Sequence, residues 1–264
     1  MNILDISFVN LAVAYLLLAA PLGGMLWLRL PMIGATLTAV VRMTLQLLFV
    51  GFYLQIIFDL NSLLLTGLWL LVMLVVADLS IARGCGLRLR SVAAGVFVSL
   101  LVGTLTPLLF FIFFIFRDAA ALGAQYVIPI SGMILGNCLR ADIVGIQTFY
   151  ESLRRDEKSY ILALTQGANL NEALLPFIRN AFKTALTPTV AAMSTIGLVA
   201  LPGMMTGVIL GGGNPMTAIK YQIAIMIAIF SGTAITVILA IYLTVRRNIG
   251  MDGLLKQDIF ADQK

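Results

Sequence analysis

The sequence has 264 residues, of which 61% are hydrophobic and 11% charged, and its mean hydropathy is +1.04. A soluble domain carries about 25% charged residues, so the composition excludes a soluble protein and predicts an all-α, polytopic membrane helix bundle. The net charge of +5 reflects lysine and arginine at the cytosolic membrane surface and does not indicate nucleic-acid binding. With no histidine and two widely separated cysteines, neither a histidine-based metal site nor a disulfide framework is expected.

Seven apolar segments are each long enough to cross a bilayer core of roughly 30 Å, which needs about 20 residues per helix. They lie at about residues 8–28, 36–58, 63–82, 91–116, 126–149, 184–211 and 219–245. If the N-terminus is outside, the inner connections carry 13 basic residues and the outer connections two. The positive-inside rule therefore predicts an outer N-terminus, a cytosolic C-terminus and a single multi-pass domain.

Polar residues interrupt the second and fifth predicted spans. Arg42 and Gln46 lie four residues apart on the second span and therefore share a face. Asn137, Arg140 and Asp142 lie in the cytosolic half of the fifth. Polar groups at such depth are costly unless they pair or line a cavity. All five are candidates for the transport pathway; the alternatives are an arginine that reaches the interface and a structural ion pair, for which Arg42 and Asp142 are possible partners.

Small residues four apart indicate where helices could approach closely in lipid. The fifth span contains Gly132 and Gly136, and the sixth contains Gly203, Gly207 and Gly211. We expect these faces to serve helix packing.

Pro202 precedes Gly203 in the sixth span and predicts a kink or break there, because proline removes a backbone hydrogen bond. Met204 and Met205 follow at once. Thioethers are soft metal ligands and also adaptable packing groups. The two methionines are therefore either pathway residues or core residues, and the sequence identifies no set of metal ligands.

One long polar stretch, residues 150–183, carries nine of the 29 charged residues of the chain (17 basic and 12 acidic). The fifth helix is expected to continue into water as far as Gln166, with Glu151 and Arg155 as i,i+4 partners. Gly167 is a typical helix stop. Asn169 is then predicted to cap a second helix, near residues 170–180, and Glu172 to close a capping box.

The second of these helices is short and has an apolar stripe formed by Leu174, Leu175, Phe177 and Ile178. Such a stripe suits a groove on a partner protein. It is equally compatible with a helix that lies on its own bundle or at the membrane interface. The pattern alone does not decide between the two.

The segment LTQGANLNEA, residues 164–173, resembles the loop by which ABC-transporter permeases engage their ATPase, in which a Gly-Ala turn precedes the coupling helix. The segments VIPISGMILGN (127–137), GLVALPGMMTG (197–207) and NPMTAIKYQ (214–222) look like the FetB family of ABC permeases. The resemblance favours docking on an ATPase. The coupling residues that it implies are Leu164, Gly167, Ala168, Asn169, Glu172 and Ala173.

Bacterial members of the FetB family are described as iron exporters linked to peroxide resistance, and plant relatives are linked to aluminium tolerance and nucleotide-sugar transport. The resemblance therefore implies a permease of the plasma membrane, which is the inner membrane in bacteria, for iron or another metal. A nucleotide sugar or another small solute is the alternative cargo.

The chain lacks the GxxxxGK[ST] motif that cradles ATP phosphates, and it has no catalytic constellation. We therefore expect a transport subunit that is not itself an enzyme and binds no cofactor, with ATP and Mg on a separate ATPase. The absence of an internal repeat predicts two copies of the chain and two ATPase subunits. A non-ABC secondary transporter is the competing hypothesis.

Overall fold

The computed structural model describes residues 7–118, 122–250, 253–256 and 259. Within these residues the chain is helical and contains no strand. The helices are α1 (Phe8–Ala14), α2 (Ala19–Trp27), α3 (Ile33–Leu60), α4 (Leu63–Gly84), α5 (Leu89–Phe110), α6 (Ala124–Arg155), α7 (Glu157–Thr165), α8 (Leu170–Thr195), α9 (Gly203–Leu210) and α10 (Pro215–Asn248). A 3₁₀ turn joins α1 to α2, and α5 continues as a π-helical segment, Phe111–Phe116.

The predicted membrane helix bundle is confirmed. Six helical stretches are long and apolar enough to cross a membrane: α1–α2 together, α3, α4, α5 with its π-helical extension, α6 and α10. The sixth predicted span, residues 184–211, differs from the expectation because it is divided between α8 and α9. The chain is therefore a multi-pass membrane protein with six such helices among its described residues.

The break expected at Pro202 is present. Between α8 and α9 the chain leaves the helix for residues 196–202, and Pro202 caps the N-terminus of α9 in an extended conformation. Gly197 has a φ of +85°, which only glycine adopts at little cost, and its N–H donates to the Ala200 carbonyl at 2.9 Å.

The helix boundaries in the polar stretch, residues 150–183, differ from the expectation in two ways. The fifth helix does not continue to Gln166, because α6 ends at Arg155 and a separate helix, α7, begins at Glu157. The predicted short helix at 170–180 and the following membrane segment form one helix, α8, which passes through Pro176 and Pro188. The expected pair between Glu151 and Arg155 does not form. Glu151 accepts a hydrogen bond from Gln147 at 2.8 Å instead.

The core lies where α5, α6 and α10 meet. A β-carbon on Gly232 of α10 would lie 2.7 Å from the Gly103 carbonyl oxygen of α5 and 2.9 Å from Ile134 Cγ2 of α6. Backbones in lipid approach this closely only where both residues are small. A β-carbon on Gly145 would likewise meet Ala185 of α8 at 3.3 Å.

The glycines singled out by the GxxxG spacing have more room. A β-carbon on Gly132 would meet Met73 Cε at 3.3 Å, and one on Gly211 would lie 3.2 Å from the Gly207 carbonyl oxygen of its own turn. Added β-carbons on Gly136, Gly203 and Gly207 would have no neighbour within 4 Å in the described structure.

The N-terminal hairpin of α1–α2 and α3 stands largely apart from the bundle. No residue in the most apolar part of the α1–α2 span is buried, and in the most apolar part of α3 only 6% of the residues are buried. The outer end of α3 is anchored, because Ile57 is buried with Ala124 and Ile128 of α6, and Asn61 Oδ1 accepts from the Ala124 N–H at 3.4 Å.

Gly103→Ala should destabilise the fold. Its β-carbon would overlap the Thr236 methyl carbon and lie 3.0 Å from the Gly232 carbonyl oxygen, so α5 and α10 would have to separate. Overpacking of this kind costs about 1–3 kcal/mol, which a lower melting temperature in detergent would report. Gly67→Ala is the matched control, since its β-carbon meets nothing within 4 Å. Equal melting temperatures for the two variants would contradict the proposed close packing.

Candidate coupling segment and transport pathway

The turn between α7 and α8 has a fixed conformation. Gly167 has a φ of +95°, and the N–H of Ala168 donates to the Ala163 carbonyl at 3.1 Å, which closes the C-terminus of α7. On the other side, Asn169 Oδ1 accepts from the Glu172 N–H at 2.9 Å, while Glu172 Oε2 accepts from the Asn169 N–H at 2.9 Å. The predicted capping box is thus present, and both helix ends that form the turn are satisfied locally.

This turn is attached firmly to the end of the bundle. The buried Tyr160 of α7 donates its hydroxyl to the Gly253 carbonyl at 2.7 Å, and its ring meets Phe177 edge-on, with centroids 6.3 Å apart. Leu164 is half-buried and packs on the core, and Leu174 is fully buried. The turn is therefore tied by these contacts to α8 and to the segment around Gly253.

The apolar stripe of α8 belongs to its own bundle. Leu174 is buried, and Phe177 and Ile178 pack half-buried against the core; only Leu175 is exposed. Of the two interpretations left open by the pattern, the geometry corresponds to a helix lying on its own bundle. The surface left for a partner is the turn itself, where Gly167, Asn169 and Glu172 are exposed.

A groove of about 280 Å³ lies beside this turn, between the start of α8 and the end of α10. Leu170 and Asn171 form one wall, and Tyr242 and Arg246 contribute to the other. Of the remaining coupling candidates, Ala168 is half-buried and Ala173 is buried. The exposed turn and this groove together form one surface at the end of the bundle.

The pathway candidates on α3 and α6 are not brought together with Asp142. Arg42, Gln46 and Arg140 are exposed and Asn137 is half-buried, whereas Asp142 is fully buried on another face of α6. Neither arginine side chain has a hydrogen-bond or ion-pair partner within the described parts of the chain. The ion pair between Arg42 and Asp142 considered above is absent from this structure.

Asp142 lies inside the core beside Cys138 of its own helix and Thr236 of α10. The Thr236 hydroxyl lies close to the carboxyl group, but neither carboxylate oxygen makes a hydrogen bond of good geometry among the described residues. The buried hydroxyls of Thr104 and Thr233 have no hydrogen-bond partner there either. Sequence reasoning identified Asp142 but missed these threonines. The three-residue spacing of Thr233 and Thr236 was the available signal, because it places both hydroxyls on one side of α10.

The methionines at the break are half-buried. Met204 packs against the core and, with Gln125, Pro129 and Tyr221, lines a cavity of about 220 Å³ between α6, α9 and α10. No group of three or more cysteine, aspartate and glutamate side chains that could hold a metal ion occurs among the described residues. Met204 thus contacts the core on one side and lines the cavity on the other.

A model of the family described as "Uncharacterised protein family (UPF0014)" matches residues 8–249, which include every span and the α7–α8 turn. The chain belongs to the UPF0014 family. No solved structure shows a significant match.

Three relatives of this UPF0014 chain span bacteria and plants. A UPF0014 membrane protein of Synechocystis is 32% identical over 88% of this chain and 89% of its own length. The "Probable iron export permease protein FetB" of Escherichia coli is 32% identical over 80% of each chain. The protein ALUMINUM SENSITIVE 3 of Arabidopsis thaliana is 32% identical over 80% of this chain and 76% of its own length. The resemblance to FetB and its plant relatives is thereby confirmed.

Asp142→Asn should preserve or raise the melting temperature of the purified protein. Asparagine has nearly the same shape as the carboxyl group and cannot carry a charge, whose burial without a partner would cost several kcal/mol. Asp59→Asn, at an exposed position of α3, is the control and should change nothing. A melting temperature several degrees lower for Asp142→Asn would contradict this expectation, because it would mean that the carboxylate makes a stabilising contact.

Proposed function

We propose that the chain is the transport subunit of an ATP-driven ABC exporter, and that a separate ATPase binds the α7–α8 turn. The observation that carries this proposal is the exposed turn at Gly167, closed by a glycine stop on one side and a capping box on the other. A docking element must keep its shape when the bound ATPase moves. This turn can do so because local hydrogen bonds satisfy its backbone groups.

α8 would act as the lever. It runs without interruption for 26 residues, about 39 Å, from the turn to the break at residue 196. It also packs closely on α6, where a β-carbon on Gly145 would meet Ala185 at 3.3 Å. Movement of the turn would therefore reach the α8–α9 break and the core together.

Two copies of the chain would form the transporter. The N-terminal hairpin is almost entirely exposed and carries Arg42 and Gln46 at membrane depth. Hydrocarbon offers such groups no hydrogen-bond partner, so a second protein surface or an aqueous pathway must face them. In this arrangement the N-terminus is outside and the turn is in the cytosol, in agreement with the distribution of basic residues.

Iron or another metal is the cargo that we propose first, since one relative is named as a probable iron export permease. A nucleotide sugar or another small solute is the alternative. A secondary transporter is the competing hypothesis. The buried Asp142 favours it, because proton-coupled transporters place acidic residues deep within their spans.

Gly167→Val should abolish coupling without affecting membrane insertion. A β-branched residue is strained at a φ of +95°, so the turn would change shape. We expect the amount of ATPase that co-purifies to fall about tenfold or more, since 1.4 kcal/mol is a factor of ten. Gly197→Val, with a φ of +85° at the α8–α9 break, imposes a similar strain away from the turn and should retain ATPase binding. Full binding and cargo-stimulated hydrolysis by Gly167→Val would contradict docking at the turn.

Inside-out vesicles that contain the chain and its ATPase test cargo and direction together. We expect ATP-dependent uptake of iron, which in these vesicles corresponds to export, and no comparable uptake of UDP-sugar. Replacing Met204 and Met205 by leucine should leave uptake unchanged, because the volume is conserved and Met204 packs on the core. Uptake without ATP, driven by a proton gradient, would favour the secondary transporter.

A further inference from the structure

We propose that a groove between the C-terminal half of α5 and the N-terminal half of α10 binds the acyl chain of an anionic phospholipid, whose headgroup lies beside Lys220. The lipid is a structural ligand and not a cargo, so this site goes beyond the proposed transport function and does not depend on it. The groove has a volume of about 710 Å³, which lies within the range of about 300–1,000 Å³ that is typical of ligand pockets.

The groove follows the two helices over the depth of one membrane leaflet. From Lys220 it extends along α10 for 15 residues, which is about 22 Å, whereas half of a bilayer core of roughly 30 Å is about 15 Å. The two helices are in contact at both ends of the groove. Phe116 and Tyr221 meet with ring centroids 5.5 Å apart, and a β-carbon on Gly232 would lie 3.3 Å from Pro107 Cγ.

The lining suits a hydrocarbon chain. Ala224 and Ala228 lie one turn apart on α10, and their short side chains leave the space between the helices open. Phe110 and Ile227 form exposed walls, and the ring of Phe111 is buried beneath them. The lining is apolar except for three residues, Thr106, Lys220 and Ser231. Along most of its length the groove therefore offers apolar contacts to an acyl chain and few hydrogen bonds to a polar solute.

The wall that α5 contributes has an unusual backbone. The segment Phe111–Phe116 is π-helical, and at its end the Arg117 N–H donates to the Ile112 carbonyl, five residues earlier, at 3.2 Å. Arg117 has a φ of +56°, a left-handed conformation that residues other than glycine seldom adopt. π-helical turns occur frequently at functional sites. Two residues of this one, Phe111 and Ile115, line the groove, so the irregular segment forms part of the proposed site.

A positive charge lies at the end of the groove that is away from the α7–α8 turn. Lys220 lines this end, and its ammonium group has no hydrogen-bond or ion-pair partner within the described parts of the chain. Arg117 is at the same corner of the bundle, because the contacting rings of Phe116 and Tyr221 directly adjoin Arg117 and Lys220 in the sequence.

The headgroup that complements this corner is an anionic one. An ammonium group binds phosphate oxygens through charge-assisted hydrogen bonds. No acidic residue occurs among the described residues that line the groove, so nothing there competes with the phosphate for Lys220. A zwitterionic headgroup brings its own cation and gains less from the lysine. The combination of an apolar groove and one cation at its end therefore favours an anionic phospholipid.

Native mass spectrometry of the delipidated chain in detergent tests the site. The probes are phosphatidylglycerol and phosphatidylcholine with identical acyl chains, and glycerol 3-phosphate as the soluble headgroup. We expect one phosphatidylglycerol per chain to bind about tenfold more tightly than phosphatidylcholine, as expected for a charge-assisted hydrogen bond. Glycerol 3-phosphate should not displace it, because the soluble headgroup lacks the acyl chain.

Two variants separate the headgroup from the acyl chain. Lys220→Gln should weaken the binding of phosphatidylglycerol about tenfold and leave that of phosphatidylcholine unchanged. Lys183→Gln, which removes the same charge from an exposed position of α8, is its control. Ala224→Phe places a ring in the groove and should weaken the binding of both lipids about tenfold or more. Ala39→Phe adds the same ring at an exposed position of α3 and should bind both lipids as the native chain does.

The melting temperature of each variant without lipid establishes that the fold is retained. Equal affinity of the native chain for the two lipids would overturn the proposal, as would a preference for phosphatidylglycerol that persists in Lys220→Gln. Displacement by glycerol 3-phosphate would mean that the corner binds free phosphate groups without the acyl chain. A native dimer that Ala224→Phe converts to a monomer, with lipid binding unchanged, would assign the groove to an interface between two copies and also overturn the lipid site.

Discussion

The hydrocarbon core of a membrane supplies no hydrogen-bond partners, and this constraint governs the whole structure. Every long apolar segment is a helix, because only a helix satisfies its backbone within itself. Among the described residues, the chain leaves the helix between α8 and α9, at residues 196–202, about 12 residues or about 18 Å after Lys183, the last charged residue of α8. That length is shorter than a bilayer core of roughly 30 Å, and irregular backbone within an apolar segment is tolerated where protein covers it or a cavity lies beside it.

The same constraint sorts the charged residues by face. Asp142 is enclosed by α6 and α10, whereas Arg140, two positions earlier on the same helix, is exposed. Two positions correspond to a rotation of about 200° around a helix. Asp142 and Arg140 therefore lie on opposite faces of α6, with the acid toward the core and the arginine toward the outside. The exposed face of α6 carries the positive charge of Arg140, and its acid is enclosed in the core.

Local contacts hold the α7–α8 turn firmly to the rest of the bundle. The turn at Gly167 is closed on both sides, Tyr160 fixes α7 to the C-terminal segment, and α8 continues unbroken through two prolines. Each of these features reduces the freedom of the turn to move alone. The first departure from helical structure after the turn is the break that begins at residue 196.

The amino-acid sequence by itself determined what depends on near neighbours. The capping box of Asn169 and Glu172, the stop at Gly167 and the break before Gly203 involve residues one to five positions apart, so their chemistry is visible in the pattern. The apolar lengths likewise determined the spans. Two helix boundaries were misplaced. The fifth helix ends at Arg155 and not at Gln166, and α8 continues through Pro176, which depends on packing along its whole length.

Only the tertiary structure decided which face of each helix turns inward. Rotation about the helix axis separates Arg42 from Asp142 and brings Gly103 against Gly232, although no GxxxG spacing marks that pair. The same rotation decided that Leu174 packs on its own bundle. A helical sequence specifies its faces but not its neighbours, because contacts between helices join residues far apart in the chain and depend on how all of the faces fit together at once.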